Sequence, residues 1–334
     1  MFTYLLIYYK INKILKGGNN LMTAKKVKKE LSKDTKDKKN KRGKNNTLLI
    51  VLLSAMILIF LGIEIFFVVK KQMTMSKKPV FVGEWRPQYK GQIGMPVWKD
   101  HLYVIDNNSN IVTKYDKLNG TVIDVYSVDK TPKWVVETNS GDTIILLYNS
   151  TDLLKYSGNK LTGKIDIKEI KSPEGMTIDS EDNIYLSDGA TSRIYKINLT
   201  GEKLLEFKSR DKVKRIGRIF IDKDDNIYAI DTGKPYYVVV FTKDGKFLRK
   251  FELKLKSLSG LEALAITSDG NVYVNDMNES KIVVFSSTGK LLGKFDTDID
   301  FRYKMGLPGA FSGGLDDRLY VGSYSVAIFE AIKY

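Results

Sequence analysis

Four aspartates, Asp106, Asp188, Asp231 and Asp276, recur at matching places, each closing a short apolar run that reads LYVID, IYLSD, IYAID or VYVND. Carboxylates repeated in this way could converge as oxygen ligands for a hard cation. Each could instead accept backbone amides and steady its own turn. The second role is favoured, because Asp188 is followed five residues on by Arg193 and Asp276 by Lys281. Each of these carboxylates is expected to brace a hairpin and its cation. After Asp106 and Asp231 the matching positions are Ile111 and Tyr236, so the pairing is not uniform.

Other chemistry is largely excluded. The chain has no cysteine, which removes disulfides, thiolate metal sites and a cysteine nucleophile. Its one histidine, His101, cannot build a multi-histidine zinc site and is the only possible partner for a serine nucleophile. His101 falls in a turn and is expected to be exposed. The stretch DTDID (Asp296, Asp298, Asp300) begins like a calcium loop, but Phe301 stands where the loop needs glycine and Leu307 where it needs a bidentate acid. DKDDN and DSEDN read as turns. No metal and no cofactor is expected.

The strongest local anomaly is KSRDKVKRIGR, residues 208–218, where Lys208, Arg210, Lys212, Lys214, Arg215 and Arg218 face one acid, Asp211. A second segment, residues 301–304, adds Arg302 and Lys304 with the aromatics Phe301 and Tyr303. Cations interleaved with aromatics can hold an anionic polymer by charge and stacking. A solvated charged loop is the competing reading.

The elements that must carry these residues follow from how charge is distributed. The chain has 334 residues and a formal charge of +15, of which residues 1–46 hold a net +11 and residues 47–78 a net +3. Residues 79–334 keep only +1, so the high charge marks a tail, and nucleic acid is not an expected partner. Residues 47–69, TLLIVLLSAMILIFLGIEIFFVV, contain 17 Leu, Ile, Val or Phe around one acid, Glu64. At about 1.5 Å per residue such a helix spans a hydrocarbon core of roughly 30 Å. It is apolar all round and longer than a signal-peptide core, so an uncleaved anchor is predicted. The basic excess before it puts the N-terminus in the cytoplasm and residues beyond the linker 70–78 outside. The tail, residues 1–46, is expected to be disordered, and both Met1 and Met22 stand as possible starts.

Residues 79–334 repeat. A strand, a polar turn and a second strand recur as VWKDHLYVIDN, WVVETNSGDTIILLYN, GMTIDSEDNIYLSDG, RIFIDKDDNIYAIDT, ALAITSDGNVYVNDM and AFSGGLDDRLYVGSY. The central positions are Tyr103, Ile145, Tyr185, Tyr228, Tyr273 and Tyr320, spaced by 42, 40, 43, 45 and 47 residues. A third strand, a glycine turn at Gly201, Gly245 or Gly289, and a fourth strand follow in the clearest copies. Four strands in some 40 to 47 residues make a propeller blade. The sixth unit stops after three strands at EAIKY. Val80 to Trp85 is therefore predicted to supply its fourth strand and close the ring.

The stretch SPEGMTIDSEDNIYLSDGATSRIYKINLTGEKLLEF, residues 172–207, resembles an NHL repeat, and the likeness extends over residues 94–334. The resemblance implies an all-β, six-bladed propeller of four-stranded blades behind one transmembrane helix, and mostly platforms for binding. Among enzymes of similar fold are gluconolactonase-like lactonases with a divalent metal in the central channel, for which Glu174 would be a first ligand; peptidyl-hydroxyglycine lyases would need histidines and disulfides that this chain lacks. The reading favoured here is a membrane-tethered, extracytoplasmic binding or scaffold module in a bacterial-type envelope. Its expected partner is an envelope protein or anionic polymer on the loop face, and the alternative is a metal-dependent lactonase or hydrolase.

Overall fold

The computed structural model describes residues 54, 56–65, 80–87, 92–208, 213–255, 264–276, 281–296, 310–314, 316–322 and 325–332. Two compact units divide the chain at residue 69. In the first, residues 56–65 are helical, and among the described residues no helix is long and apolar enough to cross a membrane. Most of the 47–69 run lies outside the described residues, as does the tail.

The second unit is a six-bladed β-propeller. After β1 (Val80–Trp85), blade one consists of β2 (Gln92–Gly94) and β3 (Val97–Trp98), both paired to β4 (His101–Asp106), then β5 (Ile111–Asp116) and β6 (Val122–Ser127). Pro96, which has no amide to donate, separates β2 from β3. Blade two is β7 (Pro132–Glu137), β8 (Thr143–Leu147), β9 (Asp152–Ser157) and β10 (Lys160–Asp166). Blade three is β11 (Pro173–Ile178), β12 (Ile184–Asp188), β13 (Arg193–Ile197) and β14 (Lys203–Phe207). Blade four is β15 (Ile216–Ile221), β16 (Ile227–Asp231), β17 (Tyr237–Phe241) and β18 (Phe247–Glu252). Blade five is β19 (Leu264–Ile266), β20 (Val272–Asp276), β21 (Lys281–Phe285) and β22 (Leu291–Asp296). Blade six is β23 (Ala310–Gly314), β24 (Arg318–Gly322) and β25 (Val326–Glu330), completed by β1. Its outer pair runs antiparallel from Val80 opposite Glu330 to Trp85 opposite Val326.

Ring closure has a specific chemistry. The Trp85 ring lies 4.8 Å from Tyr115 in blade one, and its indole N–H donates to the Lys117 carbonyl at 3.3 Å. Lys117 Nζ in turn lies 3.0 Å from Asp316 in blade six. Gly120, at φ 72°, gives the Trp85 ring room that a Cβ would fill. Burying both partners of this last seam removes the open sheet edge that a three-stranded blade would present.

The recurrent central position, aromatic in five of the six blades, is the centre of each blade. Tyr103, Ile145, Tyr185, Tyr228, Tyr273 and Tyr320 are all fully buried, and each tyrosine hydroxyl has a partner, as buried polar groups require. The first hairpins also lock neighbouring blades together. Asp182 (φ 63°), Asp225 (φ 59°) and Asp317 (φ 59°) sit in the left-handed region, which aspartate tolerates better than most residues. There Asp182 accepts the Asn139 amide of the preceding blade at 2.7 Å. Asp225 accepts the Ser180 amide at 3.0 Å and hydroxyl at 2.6 Å. Asp317 accepts the same two groups of Ser268 at 2.8 and 2.9 Å.

Candidate binding face

Two of the four recurrent aspartates, Asp188 and Asp231, are structural clasps. Asp188 is fully buried and accepts the amides of Lys171 (3.2 Å), Ser172 (3.1 Å) and Ala190 (2.9 Å) and the Thr191 hydroxyl (2.9 Å). Asp231 accepts the amides of Lys214 and Arg215, both at 3.0 Å, and of Gly233 at 3.1 Å. Each carboxylate thus ties the second hairpin of its blade to the segment entering the inner strand. Bracing of the turn is observed, but Asp188's expected cation is not its partner. Arg193 pairs with Glu206, because the Asp188 oxygens are already occupied by backbone amides and the Thr191 hydroxyl.

The same clasps position the basic loop. Lys214 and Arg215 are exposed, held by Asp231 at the start of β15. The Ser192 hydroxyl of blade three donates to the Lys214 carbonyl at 3.3 Å. Lys214 Nζ donates to the Lys234 carbonyl at 2.7 Å, and Lys234 Nζ lies 5.9 Å from the Tyr236 ring. Lys250 lies 3.9 Å from the Tyr237 ring and 3.6 Å from Asp231. Lys208 is exposed at the other end of the loop. Arg210, Lys212, Phe301, Arg302, Tyr303 and Lys304 lie outside the described residues.

Arg218 does not belong to this surface. It is 4% exposed, and its guanidinium carbon stacks 4.2 Å from the Trp134 ring centroid. The first-hairpin bonds from Thr138, Asp179 and Asp222 to the residues four further on align the blades, so that Trp134, Gly175 and Arg218 hold equivalent places in β7, β11 and β15. Gly175 lets the β15 main chain approach closely: a Cβ there would lie 2.7 Å from the Arg218 Cα. An arginine in a strand register faces packing, not water, and the cluster of basic letters around it concealed that register.

Two further expectations change. His101 is partly buried and begins β4; its Nδ1 lies 2.8 Å from Glu137 Oε2. Glu137 is buried and also accepts the Tyr103 hydroxyl at 2.8 Å, with Lys114 Nζ 3.5 Å away. Glu174 is held by Lys133 Nζ at 2.9 Å and the Ser172 hydroxyl at 3.2 Å. Glu174 is thus held in an ion pair with a lysine of the neighbouring blade. Among the described residues no group of three or more His, Cys, Asp or Glu could hold a metal ion.

Charge is sorted by face. Each inner strand runs from the connections that enter the blades to the first hairpins, so the two sets of loops lie at opposite ends of the ring. Among the described entry connections and second hairpins, Arg86 leads into blade one, Lys130 into two, and Lys168 and Lys171 into three. Lys208, Lys214 and Arg215 lead into blade four and Lys254 into five, while Lys234 lies in the second hairpin of blade four. All nine are exposed, and only Asp129 and Glu169 oppose them there. The opposite face is the reverse. Its first hairpins carry Asp100; Asp142; Asp179, Glu181 and Asp182; Asp222, Asp224 and Asp225; Asp269; and Asp316 and Asp317, against Lys99 and Lys223, and its described third hairpins add Glu202 and Asp244 against Lys117, Lys243, Lys246 and Lys290. Among the described loops, the two faces therefore carry net charge of opposite sign.

No family model matches the chain, and no curated protein matches it either. Solved structures do. A streptogramin B lyase superposes with a TM-score of 0.54 at 14% identity, over 75% of this chain and 87% of its own. A catalytically inactive virginiamycin B lyase from Staphylococcus aureus, with quinupristin, gives 0.54 at 15% identity, over 72% and 80%. The β-propeller domain of Cps50 (Swd1) from Myceliophteria thermophila gives 0.55 at 11%, over 74% and 85%. At these identities the likeness is one of fold, which lyases and other propellers share.

Proposed function

We propose that the chain is a membrane-tethered, extracytoplasmic propeller of NHL type, a non-catalytic binding or scaffold module whose entry face takes an anionic envelope polymer or acidic envelope protein. The observation that carries this reading is the separation of charge by face. A surface with nine exposed cations and two acids attracts polyanions, while the opposite face repels them. The tether rests on the apolar run 47–69 and its basic flank. Where that run is described, Met56, Leu58, Ile59 and Phe60 are each at least 63% exposed, a surface suited to lipid and poorly suited to water. The NHL assignment rests on the resemblance of residues 172–207.

Co-sedimentation of the detergent-solubilised full-length protein with an insoluble anionic wall polymer at rising NaCl tests the reading. Binding at low salt, released by salt and weakened by Lys212→Gln/Lys214→Gln/Arg215→Gln, is expected. Absence of binding at low salt would remove it.

A further inference from the structure

We infer that the ligand is an extended polyanion laid across the entry face and touching several blades at once. This rests on the proposed anion-binding reading and narrows it. The basic loop of blade four is the densest part of the face, but Arg86, Lys130, Lys168, Lys171 and Lys254 continue the same sign from the entry of blade one to that of blade five. A compact anion needs cations converging on one point. Here the described cations lie on the connections into five successive blades, one to three on each.

Two cations of the described inner strands are already engaged. Lys133 is engaged with Glu174 at 2.9 Å, and the Arg218 guanidinium is buried on the Trp134 ring at 4.2 Å. Of the two acids on the face, Glu169 is engaged by Lys203 at 2.7 Å, and of the nine cations Lys168 is paired with Asp166 at 2.7 Å. The acidic first hairpins make the binding one-sided, so a flexible polyanion gains most by lying across the entry face.

The test measures binding of the full-length protein, in neutral detergent micelles, to inorganic phosphate and to linear polyphosphates of increasing length across an NaCl series. Affinity is expected to rise with chain length while inorganic phosphate competes poorly. Lys130→Gln, two blades away from the basic loop, and Lys254→Gln, at the next connection, should each weaken long-chain binding about threefold and lower the salt slope by about one. Length-independent binding, or these two substitutions without effect while Lys214→Gln alone abolishes it, overturns the inference and leaves anion binding standing. Failure to bind any of these anions removes the anion-binding reading as well. Binding to vesicles containing phosphatidylglycerol but to no polyphosphate also contradicts it, since the ligand is then a lipid surface.

Discussion

The Arg218 guanidinium carbon rests 4.2 Å from the centre of the Trp134 ring, bridging blades two and four past Gly175. A cation on an indole face is attracted by the ring quadrupole, more strongly when both are withdrawn from water. Phe220 meets the same ring edge-on at 6.4 Å, so Trp134 joins two cores as well as two blades. Removing it should be costly. Trp134→Ala is expected to destabilise the propeller by about 3 to 5 kcal/mol, read from urea unfolding, and a loss below about 1 kcal/mol would show that the contact is incidental.

The inter-blade latch makes a separate claim. Asp225→Ala removes both acceptors of Ser180 and places alanine at φ 59°, for a combined loss of about 2 kcal/mol. Asp225→Gly keeps the backbone comfortable and should lose only about 1 kcal/mol, the share owed to the hydrogen bonds. Equal effects from the two substitutions would show that left-handed strain contributes nothing.

Asp188 links the clasp to pH. Burial alone would raise its pKa, but hydrogen bonds from Ala190, Thr191, Lys171 and Ser172 together hold it below the usual carboxylate range. A carboxylate with a depressed folded-state pKa contributes stability that is fully present above its unfolded value of about 3.9. That contribution is lost as pH falls through the lower folded value. Asp188→Asn should therefore be less stable than the parent at pH 7 and show a shallower loss between about pH 4 and pH 2. Parallel acid-unfolding curves would contradict the assignment.

Topology can be read without background, because the chain has no cysteine. With a cytoplasmic tail and an exported propeller, Thr200→Cys, in an exposed turn, should react with a membrane-impermeant maleimide in intact cells. Ser32→Cys, in the basic tail, should react only after lysis. Labelling of Ser32→Cys in intact cells would reverse the orientation.

The ring was legible because a blade repeats its demands. Tyr185, Tyr228 and Tyr273 mark buried centres, and Gly201, Gly245 and Gly289 adopt φ of 87°, 76° and 85° as their turns require. The closing role of Val80 to Trp85 followed from a missing fourth strand. What could not be read locally was anything set by contacts between repeats. Arg218 looked like part of a basic loop until its equivalence with Trp134 and Gly175 placed it in a strand. Glu137, which binds His101 across a blade seam, carries no motif. The charge asymmetry was hidden by its own sum, since acids and bases alternate along the chain and separate only when turns are assigned to faces.

The most direct measurement compares polyanion affinity after equal charge changes on opposite faces. Lys214→Gln/Arg215→Gln removes two exposed cations from the entry face, and Glu181→Gln/Asp224→Asn removes two exposed acids from the first hairpins. At about 1 kcal/mol per cation near an anionic surface, the entry-face pair should weaken binding at least tenfold, while the first-hairpin pair should leave it unchanged or slightly tighter. Equal small effects from the two pairs would contradict an oriented binding face.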